Sequence, residues 1–428
     1  MRGVFLGIGL LTLIGAAGRI VYEQSGLAIA SNAALKQLSK ELAHKPDHGL
    51  AIIHVGLFEP ETATVKLKQT VVVAGGIIQA TGDDGSVSIP RGCELIDGTA
   101  ETLLPGLFDM HTHLQPSAGL ALIASGVTTV RDLGNQMENL LALKRKWDSG
   151  EETGPRILMA GPINGSRGKG VLVKTEHDVQ AAIDRFKAAG YVQMKILGNL
   201  RPELVPYVAQ AAHAEGMRVS GHVPEGMRAD QFVNAGVDEI QHMNFILENF
   251  LPPGIYFDAA AREGGNLDLH SDSVSRFINL LKQKHIVVDP TLNVFEAKYE
   301  RRAEFQKYYS AMTGMLKRLY DAGVSLVVGT DGPRSPGVSL HREMEIWVSA
   351  GIPAPRVLQM ATIGAARVMR VDAEIGSVRA GKKADLALID GDPINSISDI
   401  RKCKIVVKDG VVYISEDVRR AVSVRLKE

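Results

Sequence analysis

From residue 104 onward, short apolar segments alternate with longer segments in which apolar residues recur every three or four positions. The first kind is typical of a buried β-strand and the second of an amphipathic helix, and their alternation predicts a parallel sheet with crossover helices. The predicted strands cover residues 104–114, 127–132, 156–161, 192–197, 218–222, 239–242, 286–289 and 325–331. The predicted helices cover residues 136–147, 176–189, 202–215, 229–235, 273–284 and 303–322.

Eight alternations of strand and helix over about 260 residues favour an α/β fold that closes into a (β/α)8 TIM-like barrel, rather than an open doubly wound sheet. Short β-rich segments lie on both sides of this region and are separated by turn sequences such as Lys408-Asp409-Gly410. Because strands before and after a barrel most economically share one sheet, we expect a small β-sandwich module built from both. Two more helices are predicted at 338–350 and 355–368.

The chain is thereby divided into four parts. Residues 49–103 and 372–420 form the split β-sandwich module, residues 104–371 form the barrel, and residues 19–48 form an N-terminal helical segment. Residues 1–18 carry a basic residue, Arg2, near their start, continue as an apolar run and end in small residues. This pattern is typical of a signal peptide. We therefore expect a periplasmic or secreted protein. The alternative is an uncleaved anchor that keeps the N-terminus in contact with a membrane.

Composition narrows the range of partners. The 48 basic and 48 acidic residues cancel, so no overall field attracts a phosphate backbone, and a nucleic-acid partner is not expected. With Cys93 and Cys403 as the only cysteines, a disulfide scaffold and a cysteine-built zinc site are both excluded. Whether these two cysteines pair with each other stays open, as does assembly into a homo-oligomer.

Ionisable residues stand at the ends of several predicted strands. His111 and His113 end the first strand, and their spacing places them on one face, although such a pair alone is equally typical of core histidines. Four further residues on later strands are Lys195, His222, His242 and Asp331. Since a barrel of this type carries its active site at the carboxyl ends of the strands, all six are expected at one mouth. Five other histidines fall in helices or loops and are expected to have ordinary structural roles: His177, His213, His270, His285 and His341.

Several of these segments carry a family resemblance. They are Pro-Gly-Leu-Phe-Asp-Met-His-Thr-His at 105–113, the strand lysine, the two later strand-end histidines, Gly-Thr-Asp-Gly at 329–332, and the run from Gly376 to Ile389. Through them the chain, from about residue 49 to 413, resembles the amidohydrolase superfamily. Within the superfamily it is most similar to the imidazolonepropionase-like group, which includes metal-dependent dipeptidases.

The resemblance implies a centre of two divalent metal ions. His111, His113 and Asp331 would hold the more buried ion, His222 and His242 the more exposed one, and Lys195, carboxylated on its amine, would bridge them. An apolar strand interior also disfavours a charged lysine and leaves a nucleophilic amine, although a salt-bridged lysine beside a single ion is the alternative. Nitrogen and carboxylate ligands suit zinc, which we take as the default, and also manganese, cobalt or iron.

The same resemblance implies a hydrolase of small-molecule substrates. It would cleave a C–N amide bond, in a dipeptide, an N-acyl amino acid or a cyclic amide, by attack of a metal-bridging hydroxide. Asp331 would take the proton of this hydroxide and pass it to the leaving nitrogen, unless it serves only as a ligand or a helix cap. Two alternatives stay open: hydrolysis of an ester, lactone or phosphotriester at the same site, and an exported metal-binding protein without turnover.

Residues around the mouth are less well defined by the sequence. Asp109 and Thr330 are expected to accept hydrogen bonds from the metal-bound imidazoles. The glycine-rich segment 161–170 is expected to form a loop over the substrate.

Charged residues on the loops of the mouth are candidates for binding a substrate carboxylate, namely Arg167, Lys169 and Arg334. Pro224 stands where dipeptidase-like relatives often have an aromatic residue that holds the substrate. Peptide cleavage is therefore less well supported than the metal chemistry, and the substrate-binding residues stay unassigned.

Overall fold

The computed structural model describes residues 21–22, 28–29, 32–252, 255, 257–300, 303–332 and 335–422. The predicted signal peptide or anchor, 1–18, lies outside the described residues. The strands, numbered in chain order, are β1 Val21–Tyr22, β2 Ala28–Ile29, β3 Leu50–Glu59, β4 Thr64–Ala74, β5 Ile77–Asp83, β6 Glu94–Asp97, β7 Thr102–Pro105, β8 Leu107–Thr112, β9 Val127–Asp132, β10 Arg156–Asn164, β11 Val171–Leu172, β12 Gln193–Ile196, β13 Arg218–Gly221, β14 Glu239–Gln241, β15 Val287–Asp289, β16 Ser325–Leu326, β17 Leu386–Ile389, β18 Cys403–Lys408 and β19 Val411–Ile414. The α-helices are α1 Asn32–Leu42, α2 Ala118–Ala124, α3 Met137–Asp148, α4 Glu176–Ala188, α5 Val205–Ala214, α6 Ala229–Asn234, α7 Met243–Glu248, α8 Phe257–Glu263, α9 Asp272–Gln283, α10 Leu292–Phe295, α11 Gln306–Ala322, α12 Val338–Ser349, α13 Ala354–Gln359, α14 Ala365–Val368 and α15 Ser415–Ala421.

Eight parallel strands form the predicted (β/α)8 barrel. Their order is β8-β9-β10-β12-β13-β14-β15-β16, with the short β11 added beside β10. The ring closes where β8 meets the segment after β16, because Met110 N donates to Val328 O at 2.9 Å and Asp331 N donates to His111 O at 2.8 Å. The eighth strand is shorter than the predicted 325–331, since the backbone leaves the extended conformation and Asp331 has a φ of 51°.

The helices around the barrel follow from the sequence pattern. In α9 the side chains of Val274, Phe277, Ile278 and Leu281 are buried on one stripe, and the hydroxyl of Ser271 caps the helix by accepting from Val274 N. All the helices predicted between 136 and 368 are present, with a π-helical stretch between α13 and α14. The short helix α2 was not predicted, because all of its residues are buried and it therefore shows no polar face.

The predicted opening strand, 104–114, is in fact two strands in two different sheets. Strand β7 pairs with β17 and β3, whereas β8 pairs with β9 in the barrel. Gly106 joins them, and its N–H donates to Asp385 O at 2.7 Å. A Cβ at this position would lie 2.0 Å from the hydroxyl oxygen of Thr128, so the close approach requires glycine. The chain thus passes from one sheet into the other within a single residue.

The second sheet is assembled from both ends of the chain. Its order is β19-β18-β17-β7-β3-β4-β5, with β6 beside β3, so strands before and after the barrel share one sheet as predicted. The sheet contacts the barrel through Arg156 of β10, whose guanidinium lies 3.3 Å from an Asp385 carboxylate oxygen and 2.7 Å from one of Asp409. Apolar residues of both parts also belong to one continuous core, among them Phe58, Val130, Ala387 and Val406.

Cys93 and Cys403 are both free thiols, so they form no disulfide. Among the described residues, every helix is too short or too polar to cross a lipid bilayer.

Candidate metal centre

The six predicted ligands all lie at the carboxyl ends of barrel strands. His111 belongs to β8, and His113 follows it directly. The other four are Lys195 in β12, His222 after β13, His242 after β14 and Asp331 after β16. Because the carboxyl ends of the parallel strands meet at one mouth, side chains that are distant in sequence come together there.

His111, His113 and Asp331 form a compact group. The Asp331 Oδ1 atom lies 3.0 Å from His113 Nε2 and 3.2 Å from His111 Nε2. One ligand atom from each of the three residues lies within 4.8 Å of the others. The His111 side chain is completely buried, while about a third of His113 is open to solvent at 35%. Two imidazoles and one carboxylate at this spacing have the geometry of a divalent metal site.

His222 and His242 form a second group beside the first. Their Nε2 atoms face each other at 3.0 Å. The His242 ring centroid lies 4.9 Å from that of His111, and His242 Nδ1 lies 3.9 Å from Asp331 Oδ2. The structure therefore brings the histidines of three different strands and the aspartate of a fourth into one cluster.

Lys195 reaches the same cluster from the barrel interior. It is fully buried, and its amine donates to the amide oxygen of Gln241. Burial lowers the pKa of Lys195 to about 8, although the nearby carboxylates of Asp331 and Asp289 act in the opposite direction. A sizeable fraction of this amine is therefore neutral near physiological pH, as a nucleophilic lysine requires.

Burial also determines the charge state of the histidines. It lowers the pKa of His111 to about 4, and it holds the pKa values of His222 and His242 well below their ordinary range. Burial tends to raise the pKa of Asp331, but the imidazoles of His111 and His242 override it and hold this pKa far below its ordinary value. The cluster therefore presents neutral imidazoles and an ionised carboxylate, the protonation states that metal binding requires.

The donor set fits a bound cation. His111 Nε2 is buried and has no hydrogen-bond partner among the described residues. The facing Nε2 atoms of His222 and His242, 3.0 Å apart, form a hydrogen bond in which one neutral ring donates and the other accepts, and the accepting nitrogen is unprotonated as a metal ligand must be. An unpaired buried nitrogen is costly unless something binds it, and a divalent metal ion would satisfy His111 Nε2.

The expectation that Asp109 and Thr330 accept hydrogen bonds from the imidazole rings was wrong. The ring nitrogen His111 Nδ1 lies 2.7 Å from Asp289 Oδ2. Asp109 instead accepts from the Thr330 hydroxyl at 2.8 Å and from the backbone N–H of His111 at 3.2 Å. Asp109 and Thr330 thus hold the backbone around the site. Asp289 ends the seventh barrel strand, so the strand-end criterion that found the other residues could also have found it.

A buried ion pair lies beneath the cluster. Arg131 of β9 reaches across the barrel to Glu239 of β14, with one guanidinium nitrogen 2.7 Å and the other 2.6 Å from the two carboxylate oxygens. Arg131 also donates to Met110 O at 2.7 Å, and its Nη2 lies 3.8 Å from Asp289 Oδ2. The sequence analysis did not identify this pair, since both residues lie within the strands rather than beyond their ends.

The loop after β10 is organised by Asn164. Its side-chain amide donates to the carbonyl oxygens of Arg167 at 2.8 Å and Lys169 at 3.2 Å. The Arg167 side chain donates to Asn199 Oδ1 at 3.2 Å, and both charged residues are exposed. Arg334 lies outside the described residues. Binding of a substrate carboxylate by these side chains stays a prediction.

A cavity of about 400 Å³ lies beside the His222 end of the cluster. Phe245 of α7 lines this cavity, and its ring centroid lies 5.4 Å from that of His222 and 6.1 Å from that of His242. The other apolar lining residues are Val223, Met227, Ala229, Leu251, Pro252 and Ile255. An aromatic side chain thus stands near the site, but α7 supplies it rather than the loop that contains Pro224.

The remaining histidines of the barrel lie elsewhere, as predicted. His213 contacts Asp238 at 2.9 Å, and the ring of the buried His341 donates to Ser125 O at 2.8 Å. His177, His270 and His285 are exposed on helices and turns.

Comparison with known families and proteins agrees with this geometry. A sequence profile of the Amidohydrolase family matches residues 102–413, which is well over half of the chain. An imidazolonepropionase from Brevibacillus brevis is 22% identical over 389 residues, which span 80% of this chain and 89% of the relative. A 5-methylthioadenosine/S-adenosylhomocysteine deaminase from Caldanaerobacter subterraneus is 24% identical over 402 residues, 80% of this chain and 84% of that protein.

Solved structures share the fold. A Xaa-Pro dipeptidase with bound methionine superposes with a TM-score of 0.69 at 24% identity, and the match covers 86% of this chain and 100% of the dipeptidase. A bottromycin amidohydrolase superposes with a TM-score of 0.72 at 22% identity and covers 92% of each chain.

Proposed function

Because this chain belongs to the amidohydrolase family, we propose that it is a metal-dependent hydrolase that cleaves a C–N amide bond in a small molecule. The observation that carries the proposal is the meeting of four imidazoles, one lysine amine and one carboxylate at a single barrel mouth. The relatives named above include a deaminase, an imidazolonepropionase and a dipeptidase, whose names point to C–N bonds.

We assign the six side chains to two divalent ions, with zinc as the default. The more buried ion would be held by His111, His113 and Asp331, the more exposed ion by His222 and His242, and both by carboxylated Lys195. When bound, such ions supply a water molecule of lowered pKa and polarise a carbonyl oxygen.

The surroundings of Lys195 favour the proposed modification. Its buried amine is partly neutral near pH 7, so its nitrogen can add to the carbon of carbon dioxide and release one proton. The product is a carbamate, which carries a negative charge and two oxygen atoms. This modification replaces a buried cation by an anion, which suits the proposed site because two divalent metal ions attract a negative ligand and repel an ammonium group.

Asp331 has the protonation state of a proton acceptor. Its carboxylate is ionised, and it lies against the imidazoles of both groups. In the proposed reaction Asp331 accepts the proton of the attacking water and delivers it to the leaving nitrogen. The cavity beside His222 is mainly apolar, with Arg228, Glu248 and Asn249 also in its lining, and it would take an apolar group of the substrate against Phe245.

The experiment combines metal analysis with a substrate panel. Wild type, His111→Asn, Asp331→Asn and Lys195→Ala are purified, and bound metal is measured by elemental analysis. Each is then assayed with dipeptides, N-acyl amino acids, cyclic amides, esters, lactones and phosphotriesters. We expect the His111 and Asp331 variants to lose hydrolysis by several orders of magnitude, and Lys195→Ala to fall from two ions toward one, with partial rescue by short carboxylic acids.

His213→Asn is the matched control, because this histidine is partly exposed and pairs with Asp238 away from the mouth. It should keep wild-type metal content and turnover. Unchanged turnover in His111→Asn would refute the assignment. Turnover of esters, lactones or phosphotriesters alone would change the bond that is cleaved, and full metal content without any turnover would indicate a binding protein.

Export is a separate part of the proposal. It rests on the sequence of residues 1–18, which are outside the described part of the chain. N-terminal sequencing of the protein recovered from its native compartment tests it: a start near residue 19 supports cleavage, and a start at Met1 supports an anchor.

A further inference from the structure

Glu343, on helix α12, is a buried acid with an unusually complete set of donors. Its Oε1 accepts from Leu292 N at 2.9 Å and from the indole of Trp347 at 2.8 Å. Its Oε2 accepts from Asn293 N at 2.6 Å and from Asn293 Nδ2 at 3.1 Å. Three of these four donors belong to Leu292 and Asn293, which begin the short helix α10 after strand β15, and none belongs to a proposed metal ligand. We call residues 291–293 the α10 turn.

That turn contacts both groups of the candidate metal centre. Its first residue, Thr291, places its hydroxyl 2.8 Å from His242 Nδ1. Its third residue, Asn293, donates from its side chain to the carbonyl oxygen of Thr330 at 3.0 Å, directly before Asp331. The turn therefore contacts the ring of one proposed ligand and the backbone that carries another.

The backbone at these points is strained. His242, Thr291 and Asp331 have φ values of 70°, 48° and 51°, a left-handed conformation that residues other than glycine rarely adopt. Such a conformation is unfavourable and persists only where its surroundings hold it in place. Thr291 is also β-branched and fully buried, so its conformation depends on the contacts of the turn.

We propose that Glu343 is a positioning residue of the metal centre. Its carboxylate holds the turn, so that Thr291 fixes the ring orientation and tautomer of His242 while Asn293 fixes the backbone that carries Asp331. This inference rests on the proposed metal-dependent function.

A carboxylate is needed for this role because two acceptor oxygens face four N–H groups. An amide of the same size has a single oxygen, and its NH₂ group would point at N–H donors.

Zinc binding by metal-free protein tests the proposal without any substrate. Wild type, Glu343→Gln and Glu345→Gln are titrated with Zn²⁺ in competition with a chelator, and their folding is compared by thermal unfolding. Loss of an outer partner of a metal-bound histidine typically weakens metal binding by about 10- to 100-fold, so we expect a loss of this size in Glu343→Gln. Glu345, two residues along the same helix, pairs with Arg342 and Arg401 instead, so its variant should bind zinc as wild type does.

The outcomes separate the possible failures. A folded Glu343→Gln that binds zinc with wild-type affinity would overturn the positioning role, even if its unfolding temperature falls. Wild-type protein that binds no zinc would overturn the proposed function and this inference with it. If Glu343→Gln does not fold, Asn293→Ala replaces it in the same zinc titration. This variant removes the side-chain donor to Thr330 O and does not change helix α12. Wild-type affinity in Asn293→Ala would likewise overturn the proposal.

Discussion

At the scale of single residues, Gly329 shows how little space surrounds the candidate metal centre. A Cβ at this position would lie 2.5 Å from Asp289 Oδ1 and 2.6 Å from the Cβ of His111. Both distances are far inside van der Waals contact. Any side chain at position 329 would therefore push directly on a proposed ligand and on the aspartate that orients its ring.

Gly329→Ala should therefore reduce metal content and turnover while the protein stays folded. The added methyl group would displace His111 and Asp289, and a small shift of a ligand is enough to weaken a metal site. Elemental analysis and circular dichroism measure the two effects. Gly198→Ala is the matched control, because a Cβ there has no atom within 4 Å. Equal metal content in both variants would show that the site tolerates the displacement.

His341 predicts a pH dependence of stability. Burial lowers its pKa in the folded protein to about 4, against an ordinary 6.5. Between these values only the unfolded chain binds the proton, so stability falls as the pH drops from 6.5 to 4, by a contribution on the order of 3 kcal/mol.

Urea unfolding at several pH values between 4 and 7 measures this contribution. His341→Gln keeps a donor for Ser125 O but does not titrate, so its stability should fall less steeply toward acid pH than that of wild type. The buried histidines of the metal centre act in the same direction in both proteins and cancel in the difference. Parallel curves would contradict the prediction.

The positions of candidate site residues could be predicted from the sequence where these residues end a strand. His111, His222, His242 and Asp331 end strands, and the alternation of strand and helix is visible in the sequence. Glu343 could not be found in this way, because it lies within helix α12 rather than at the end of a strand. Phe245 was also missed, since an aromatic residue on a short helix looks like an ordinary core residue.

At the scale of elements, the Arg131–Glu239 pair connects two strands on opposite sides of the barrel. Both side chains are fully buried, and burial disfavours each charge. The charge of each partner raises the pKa of Arg131 and lowers that of Glu239 despite this burial. Both groups therefore stay ionised, and each depends on the other.

Replacing one residue of the Arg131–Glu239 pair should lower the free energy of unfolding more than replacing both. Arg131→Met leaves the buried Glu239 carboxylate unpaired, and Glu239→Met leaves Arg131 only the more distant Asp289 carboxylate at 3.8 Å. Loss of one partner of a buried ion pair typically costs about 3–5 kcal/mol. The double variant should be more stable than the less stable single variant, because neither charge of this pair is then left without its partner. Urea unfolding at pH 7 of the four proteins measures the coupling. Additive losses would contradict a dependence of each charge on the other.

The predicted boundaries of helices and strands agree with the structure except where contacts between residues distant in sequence determine them. The segment 104–114 reads as one apolar strand, and only the close approach of Gly106 to Thr128 shows that it changes sheet. Helix α2 carries no polar face because it is enclosed by other elements, so the periodicity that revealed the surface helices was missing there.

At the scale of the whole molecule, the barrel and the second sheet share one core. Apolar residues from both contribute to the same cluster, and Arg156 pairs across their boundary with Asp385 and Asp409. The second sheet also has a hydrophobic cluster of its own, which includes Leu50, Val71 and Val407, so the shared core and this ion pair are the contacts that couple it to the barrel.

We accordingly expect one cooperative unfolding transition. Differential scanning calorimetry of the metal-free protein should show a single peak whose calorimetric and van't Hoff enthalpies agree. Two resolved peaks would indicate that the sheet and the barrel unfold independently. Arg156→Met should lower the transition temperature without splitting the peak.

Because the chain passes from the second sheet into the barrel at Gly106, a displacement of the second sheet reaches the strand that carries the first ligands of the candidate metal centre. A fusion, a binding partner or a truncation that displaces the C-terminal hairpin would shift β17, then its neighbour β7, and with it the strand that carries His111. Protein engineers who trim this chain to a minimal barrel would thus loosen the very strand that supplies the first two histidines.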